Sequence, residues 1–184
     1  VQSTLSFTTS SDNFGNLTPG TAKFATTTLS MTTNNAAGWN ITLSGDDQSP
    51  TNTVCDLDTD ASVALTDQLE WISGAATTSA GNAVRIGSFD SSGDVLAFRV
   101  MTASGTASFR APTWWGTTDA YIDSATTLWG GISSSTVQRQ IGNAGTGSYS
   151  ASAQLSTVLY YLDVPASQQT GAYGCPLTFT ATAN

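Results

Sequence analysis

Leu155-Ser156-Thr157-Val158-Leu159-Tyr160-Tyr161-Leu162-Asp163-Val164-Pro165 and, after a polar link, Gly171-Ala172-Tyr173-Gly174-Cys175-Pro176-Leu177-Thr178-Phe179-Thr180-Ala181-Thr182 decide the fold of this chain. Both runs are rich in residues that suit a pleated, half-buried surface. In the second, Leu177, Phe179 and Ala181 fall on one side and Thr178, Thr180 and Thr182 on the other, the period-two pattern of a strand with one buried face. The first carries large apolar residues on both sides, as expected of a central strand covered above and below. Pro, Gly, Ser and Gln fill the gap, so the pair reads as a β-hairpin.

Composition extends this bias to the whole chain. Ser and Thr make up roughly three residues in ten and charged residues only 10% of the 184, while hydrophobic residues reach 39%. Enough apolar surface exists to form a core without staples. Helix formers are scarce, with one Lys, one Glu and four Arg. The expectation is an all-β protein, an antiparallel β-sandwich of jelly-roll or immunoglobulin-like and pilin-like type with a long irregular insertion. Its organisation is an N-terminal strand (residues 1–10) followed by one sandwich domain (11–184).

The N-terminal strand alternates around Ser3, Leu5 and Phe7, then meets the turn clusters Ser10-Ser11-Asp12-Asn13 and Gly15-Asn16-Leu17-Thr18-Pro19-Gly20, a loose polar tether. Residues 22–33 form the next strand, with a bulge expected near Thr28 to reconcile its irregular apolar side. After the turn Asn34-Asn35-Ala36-Ala37-Gly38, Trp39, Ile41 and Leu43 alternate cleanly, and the two strands read as a first hairpin. Residues 65–72 read as a short helix or a strand. Strands are expected at 83–87, 94–102 (Leu96, Phe98 and Val100 inward) and 106–110. Residues 137–141 are a further strand candidate, and 142–149 are a glycine-rich connection.

A net charge of −8 and a pI near 4.1 argue against nucleic acid, which needs a basic footprint, and against anionic membrane surfaces. No apolar run is long enough to span a bilayer. The sequence has no histidine, which removes Ser-His-Asp and Cys-His chemistry. Nucleophile elbows, P-loops and dinucleotide fingerprints are also missing, and Glu70 is the single glutamate available for a glycosidase pair. The expectation is a protein that is not an enzyme and has no organic cofactor.

Five polar or aromatic patterns stand out. Cys55 and Cys175 match no zinc or redox spacing; they read as one disulfide in a secreted protein, or as two buried thiols. Closing a loop of about 120 residues stabilises by roughly 4–5 kcal/mol on the chain-entropy argument. Asp56, Asp58 and Asp60, with Asp67 beyond them, can converge on a hard cation such as a structural Ca²⁺, although Ala61 stands where an EF-hand loop has glycine. The competing reading is a solvated acidic loop. Trp114, Trp115, Tyr121 and Trp129 are candidates for stacking on a glycan, against which stands packing under a long connection. Asn16 and Asn40 head N-glycosylation sequons. Lys23 and Glu70 suggest, more remotely, a Lys–Asn cross-link beside a buried acid.

Pro165-Ala166-Ser167-Gln168-Gln169-Thr170-Gly171-Ala172-Tyr173 followed by Leu177-Thr178-Phe179-Thr180-Ala181-Thr182 resembles the closing hairpin of secreted prokaryotic surface proteins: WxL-type wall proteins, spore-coat-U and pilin-like sandwiches, and biofilm-fibre subunits. Leu5-Ser6-Phe7, residues 15–20, Leu29-Ser30-Met31-Thr32-Thr33-Asn34 and Gly38-Trp39 are similar to the opening of such proteins. Neither Trp-x-Leu motif is present. The resemblance implies an extracellular, cell-surface location and self-assembly. On it, the chain is a subunit of a filament or pilus, a homopolymer in which Ser3, Leu5 and Phe7 are donated to the neighbouring copy's sheet; the competing reading is that residues 1–9 pair within their own domain. The alternative is a monomeric adhesion or carbohydrate-binding module that uses the aromatic region, with glycans as partners.

Overall fold

A computed structural model describes residues 2–10, 13–45, 66–67, 95–102, 115–116, 127–132, 138–144, 150–164, 166 and 176–184. Among the described residues there are eight strands: β1 (Leu5–Thr9), β2 (Lys23–Thr33), β3 (Trp39–Gly45), β4 (Thr66–Asp67), β5 (Val95–Thr102), β6 (Arg139–Ala144), β7 (Ser150–Asp163) and β8 (Leu177–Ala183). They form a five-stranded sheet in the order β1-β2-β7-β5-β4 and a three-stranded sheet in the order β6-β3-β8. Every pairing is antiparallel except the two-residue contact of β4 with β5. The fold is the all-β sandwich-like arrangement expected from composition.

Both expected hairpins are corrected. β7 lies in the five-stranded sheet and β8 in the three-stranded one, so the link between them changes sheets. β2 and β3 are divided in the same way across residues 34–38, where Gly38 takes φ 99°, a conformation that side chains with a Cβ resist. Each strand instead finds its partner far away in sequence: β2 with β7, β3 with β8 and β6. The reason is burial. Both ends of each corner carry apolar residues that face the same interior from opposite sheets, and a hairpin would leave that interior half built.

β7 is the central strand that its sequence describes. Val158, Tyr160 and Leu162 point into the space between the sheets, where they meet Leu29, Met31, Phe98, Trp39 and Ile41. Leu159 and Tyr161 point the other way and pack with Ala97 and Trp129 in a second cluster. The five-stranded sheet is therefore covered on both faces along β5 and β7. Gly130 ties the covering segment to the sheet: Phe98 N–H donates to its carbonyl at 2.8 Å and its own N–H donates back at 2.9 Å.

β2 needs no bulge near Thr28. Ala25, Thr27, Leu29, Met31 and Thr33 are all buried in strict alternation, and the irregularity in its pairing with β7 falls between Met31 and Thr33. β5 buries Leu96, Phe98 and Val100 inward as expected, and it also buries Ala97 and Arg99 on the opposite face. β6 runs to Ala144, three residues into the expected connection. β1 begins at Leu5, so Ser3 lies before the strand and is exposed. The expected strands at 83–87 and 106–110 and all of 65–72 except Thr66 and Asp67 lie outside the described residues.

Candidate functional site

β1 lies at the margin of the five-stranded sheet. It runs antiparallel to β2 with Leu5 opposite Thr33, Phe7 opposite Met31 and Thr9 opposite Leu29. Ser10 prolongs the contact: its N–H donates to Thr28 O at 3.1 Å and its hydroxyl accepts from Thr28 N–H at 2.9 Å. Leu5 and Phe7 turn toward the core and pack against it, yet both remain half exposed. Ser6 and Thr8 face out, and Thr9, on the same side as Leu5 and Phe7, is exposed at the end of the strand. Within the single chain, the strand expected as a donor thus lies on its own sheet.

Beyond the strand, the tether differs from the loose linker expected. Phe14 and Leu17 are half buried against the core. Asn13 accepts from Gly15 N–H at 2.7 Å, an Asx turn, and Gly15 itself takes φ 66°. Gly20 N–H donates to Val164 O at 2.8 Å, and Lys23 Nζ donates to Asn16 O at 2.8 Å. Lys23 is exposed, which goes against the remoter cross-link reading and with an ordinary surface lysine; Glu70 lies outside the described residues. The chain is thus anchored from Phe14 onward.

Two adjacent asparagines at the β2–β3 corner act as a clasp. Asn34 accepts from Thr4 N–H at 2.7 Å and donates from Nδ2 to Gln2 O at 3.1 Å; Thr33 Oγ1 donates to Thr4 O at 2.8 Å. Asn35 Nδ2 donates to Asn184 O at 2.6 Å, while Asn184 N–H donates to Gly38 O at 3.0 Å. The approach to β1 and the exit from β8 are therefore held by neighbouring residues. Sequence alone marks Asn34-Asn35 as a turn, because Asx side chains bond nearby backbone. Their partners lie about 30 and 149 positions away, and no local pattern announces them.

The two aromatic candidates among the described residues do not lie on the surface. Trp115 and Trp129 are both 0% exposed. Trp115 packs on Phe98 at 5.1 Å between ring centres, in the cluster between the sheets, whereas Trp129 meets Tyr161 and Phe24 on the other face. The β5 backbone stands between them, so no single sugar can stack on both. Arg99 is buried between these clusters; its Nη2 donates to Trp115 O at 2.9 Å and its guanidinium carbon lies 5.8 Å from the Trp129 ring centre. Cation and ring face attract each other there, more strongly for being out of water. Trp114 and Tyr121 lie outside the described residues.

Of the sequon residues, Asn16 is exposed in the tether and Asn40 is half buried on β3. Cys55, Cys175, Asp56, Asp58 and Asp60 lie outside the described residues, and Asp67 is described only as backbone paired with Leu96. Gly45 and Leu177, the positions from which the chain departs toward Cys55 and returns from Cys175, are register partners. No group of three or more His, Cys, Asp or Glu side chains able to hold a metal occurs among the described residues, nor does any helix long and apolar enough to cross a membrane. No family model matches this chain, and no characterised protein or solved structure is significantly similar to it. What stands is an all-β, two-sheet protein with β1 at the margin of the larger sheet.

Proposed function

We propose that this protein is a structural subunit of an extracellular filament that polymerises by donating its N-terminal strand to the next copy. The observation that carries the reading is the position of β1, at the margin of the five-stranded sheet and held by five register pairs and two half-exposed apolar side chains. A strand that can pair with its own β2 can pair with the β2 of another copy in the same register, because the two slots are identical. The exchange leaves every hydrogen bond and pocket contact of the strand intact and changes only which chain supplies it. The donated stretch ends at Ser10, and the chain is anchored to its own core from Phe14 onward. Because each copy gives at one place and receives at another, the contact is head-to-tail and grows into an open fibre.

Buried Trp115 and Trp129 weigh against the carbohydrate-binding alternative. Removal of residues 1–9 tests the proposal by negative-stain microscopy. The full chain is expected to form fibres and the shortened chain none, with a peptide of residues 1–10 binding the shortened chain and blocking growth of the full one. Fibres of undiminished number and length from the shortened chain would overturn the reading, as would a full chain that stays monomeric under all conditions.

A further inference from the structure

β8 closes one side of the three-stranded sheet, and no other strand among the described residues pairs with its outer edge. Its seven residues pair with β3 in unbroken register, from Leu177 opposite Gly45 to Ala183 opposite Trp39. Edge strands are ordinarily protected from foreign strands by charge, proline, a bulge or shortness. β8 has none of these. It reads Leu-Thr-Phe-Thr-Ala-Thr-Ala, straight and uncharged. Its inward residues Leu177, Phe179 and Ala181 are only half buried, whereas Ile41 and Leu43 of the adjacent β3 are sealed at 0% and 1%. Among the described residues, the edge therefore offers both unpaired backbone groups and incompletely covered apolar side chains.

The sequence of the strand selects its occupant. When β8 is laid antiparallel to another β8 about a two-fold axis at Thr180, its central residue, Thr180 faces Thr180 and Thr178 faces Thr182. On the inner side Leu177 faces Ala183 and Phe179 faces Ala181, a large residue opposite a small one at each place. Threonine pairs and large–small apolar pairs both suit directly opposed positions of an antiparallel ladder. Charge favours the same partner. Every acidic residue except Asp12 and Asp163 lies between Asp46 and Asp123, and β1, β3 and β8 carry no charge at all, so two copies meet here without opposing carboxylates.

We infer that β8 pairs with β8 of a second copy, about a two-fold axis at Thr180, joining two three-stranded sheets into one of six. This contact is closed, so by itself it gives a dimer and not a fibre. It requires no release of β1 and stands whether or not that strand is donated.

Sedimentation and amide exchange on the full chain test it. The unmodified protein is expected to dimerise with rising concentration, and β8 amides to gain protection in step. A variant with Thr178→Lys and Thr182→Lys places like charges opposite each other in both outer pairs and is expected to weaken the dimer by about tenfold or more. A variant with Thr178→Lys and Thr182→Glu places opposite charges there and is expected to restore it. The side chains point outward in the monomer, and circular dichroism checks that both variants keep the fold. Dimerisation unaffected by the double lysine change overturns the inference. So does a chain that is monomeric throughout, or one whose β8 amides are protected equally at every concentration because its own chain covers the edge. Fibres are read separately by microscopy, so loss of one assembly leaves the other measurable.

Discussion

Trp39 spans the sandwich with one hydrogen bond. It rises from β3, is completely buried, and donates its indole N–H to Gln154 Oε1 on β7 at 2.9 Å, joining the two sheets through polar atoms inside an apolar layer. Trp39→Phe removes that bond and part of the ring volume, and is expected to cost about 2–3 kcal/mol in urea unfolding, while Gln154→Leu costs less because the indole loses its acceptor but no volume is emptied. Arg99 is the polar counterpart on the other side of the sheet. Arg99→Lys shortens the donor and loses the planar fork, and calorimetry is expected to show a fall in melting temperature of several degrees, about 2 kcal/mol for a domain of this size. Asn34→Ala removes the two bonds to Gln2 and Thr4 at an exposed site, where each is worth about 1 kcal/mol or less. Its effect is expected to be local: amides of residues 4–9 exchange several-fold faster while those of β7 are unchanged.

At the scale of elements, β2 and β7 form the longest ladder and fill both sides of the core. Leu29 is completely buried in β2, and Leu29→Ala is expected to lower stability by about 3 kcal/mol in equilibrium unfolding. Strand identity was largely legible: β3, β5, β7 and β8 follow from alternation of Trp39, Ile41 and Leu43, of Leu96, Phe98 and Val100, and of Leu177 and Phe179 with threonine. Threonine also obscured the pattern. Thr27 and Thr33 are buried where an apolar residue would have declared the inner side of β2, so its alternation looked irregular. Pairing was not legible. Proximity in sequence suggests hairpins at 34–38 and 165–176, but a corner that changes sheets and one that turns back have the same residues, and only the packing of both ends on a shared interior decides between them. The aromatic pair Trp115 and Trp129 carried no sign of depth for the same reason, since burial is a property of what covers a residue.

On the whole molecule, charge and assembly separate. The acidic residues are concentrated between Asp46 and Asp123, whereas both proposed contact strands, β1 and β8, are neutral. Two copies of net charge −8 repel as bodies even where their contact strands do not. Raising ionic strength from about 20 mM to about 300 mM shortens the screening length to a few ångströms and is expected to tighten association several-fold by sedimentation, the reverse of an interface held by ion pairs. The corner at residues 34–35 has its own consequence at this scale. A pull entering near Gln2 and leaving at Asn184 passes from one asparagine side chain to the next through a peptide bond. Such tension bypasses the hydrophobic interior, so the clasp would yield first, as a mechanical fuse, while both sheets stay folded.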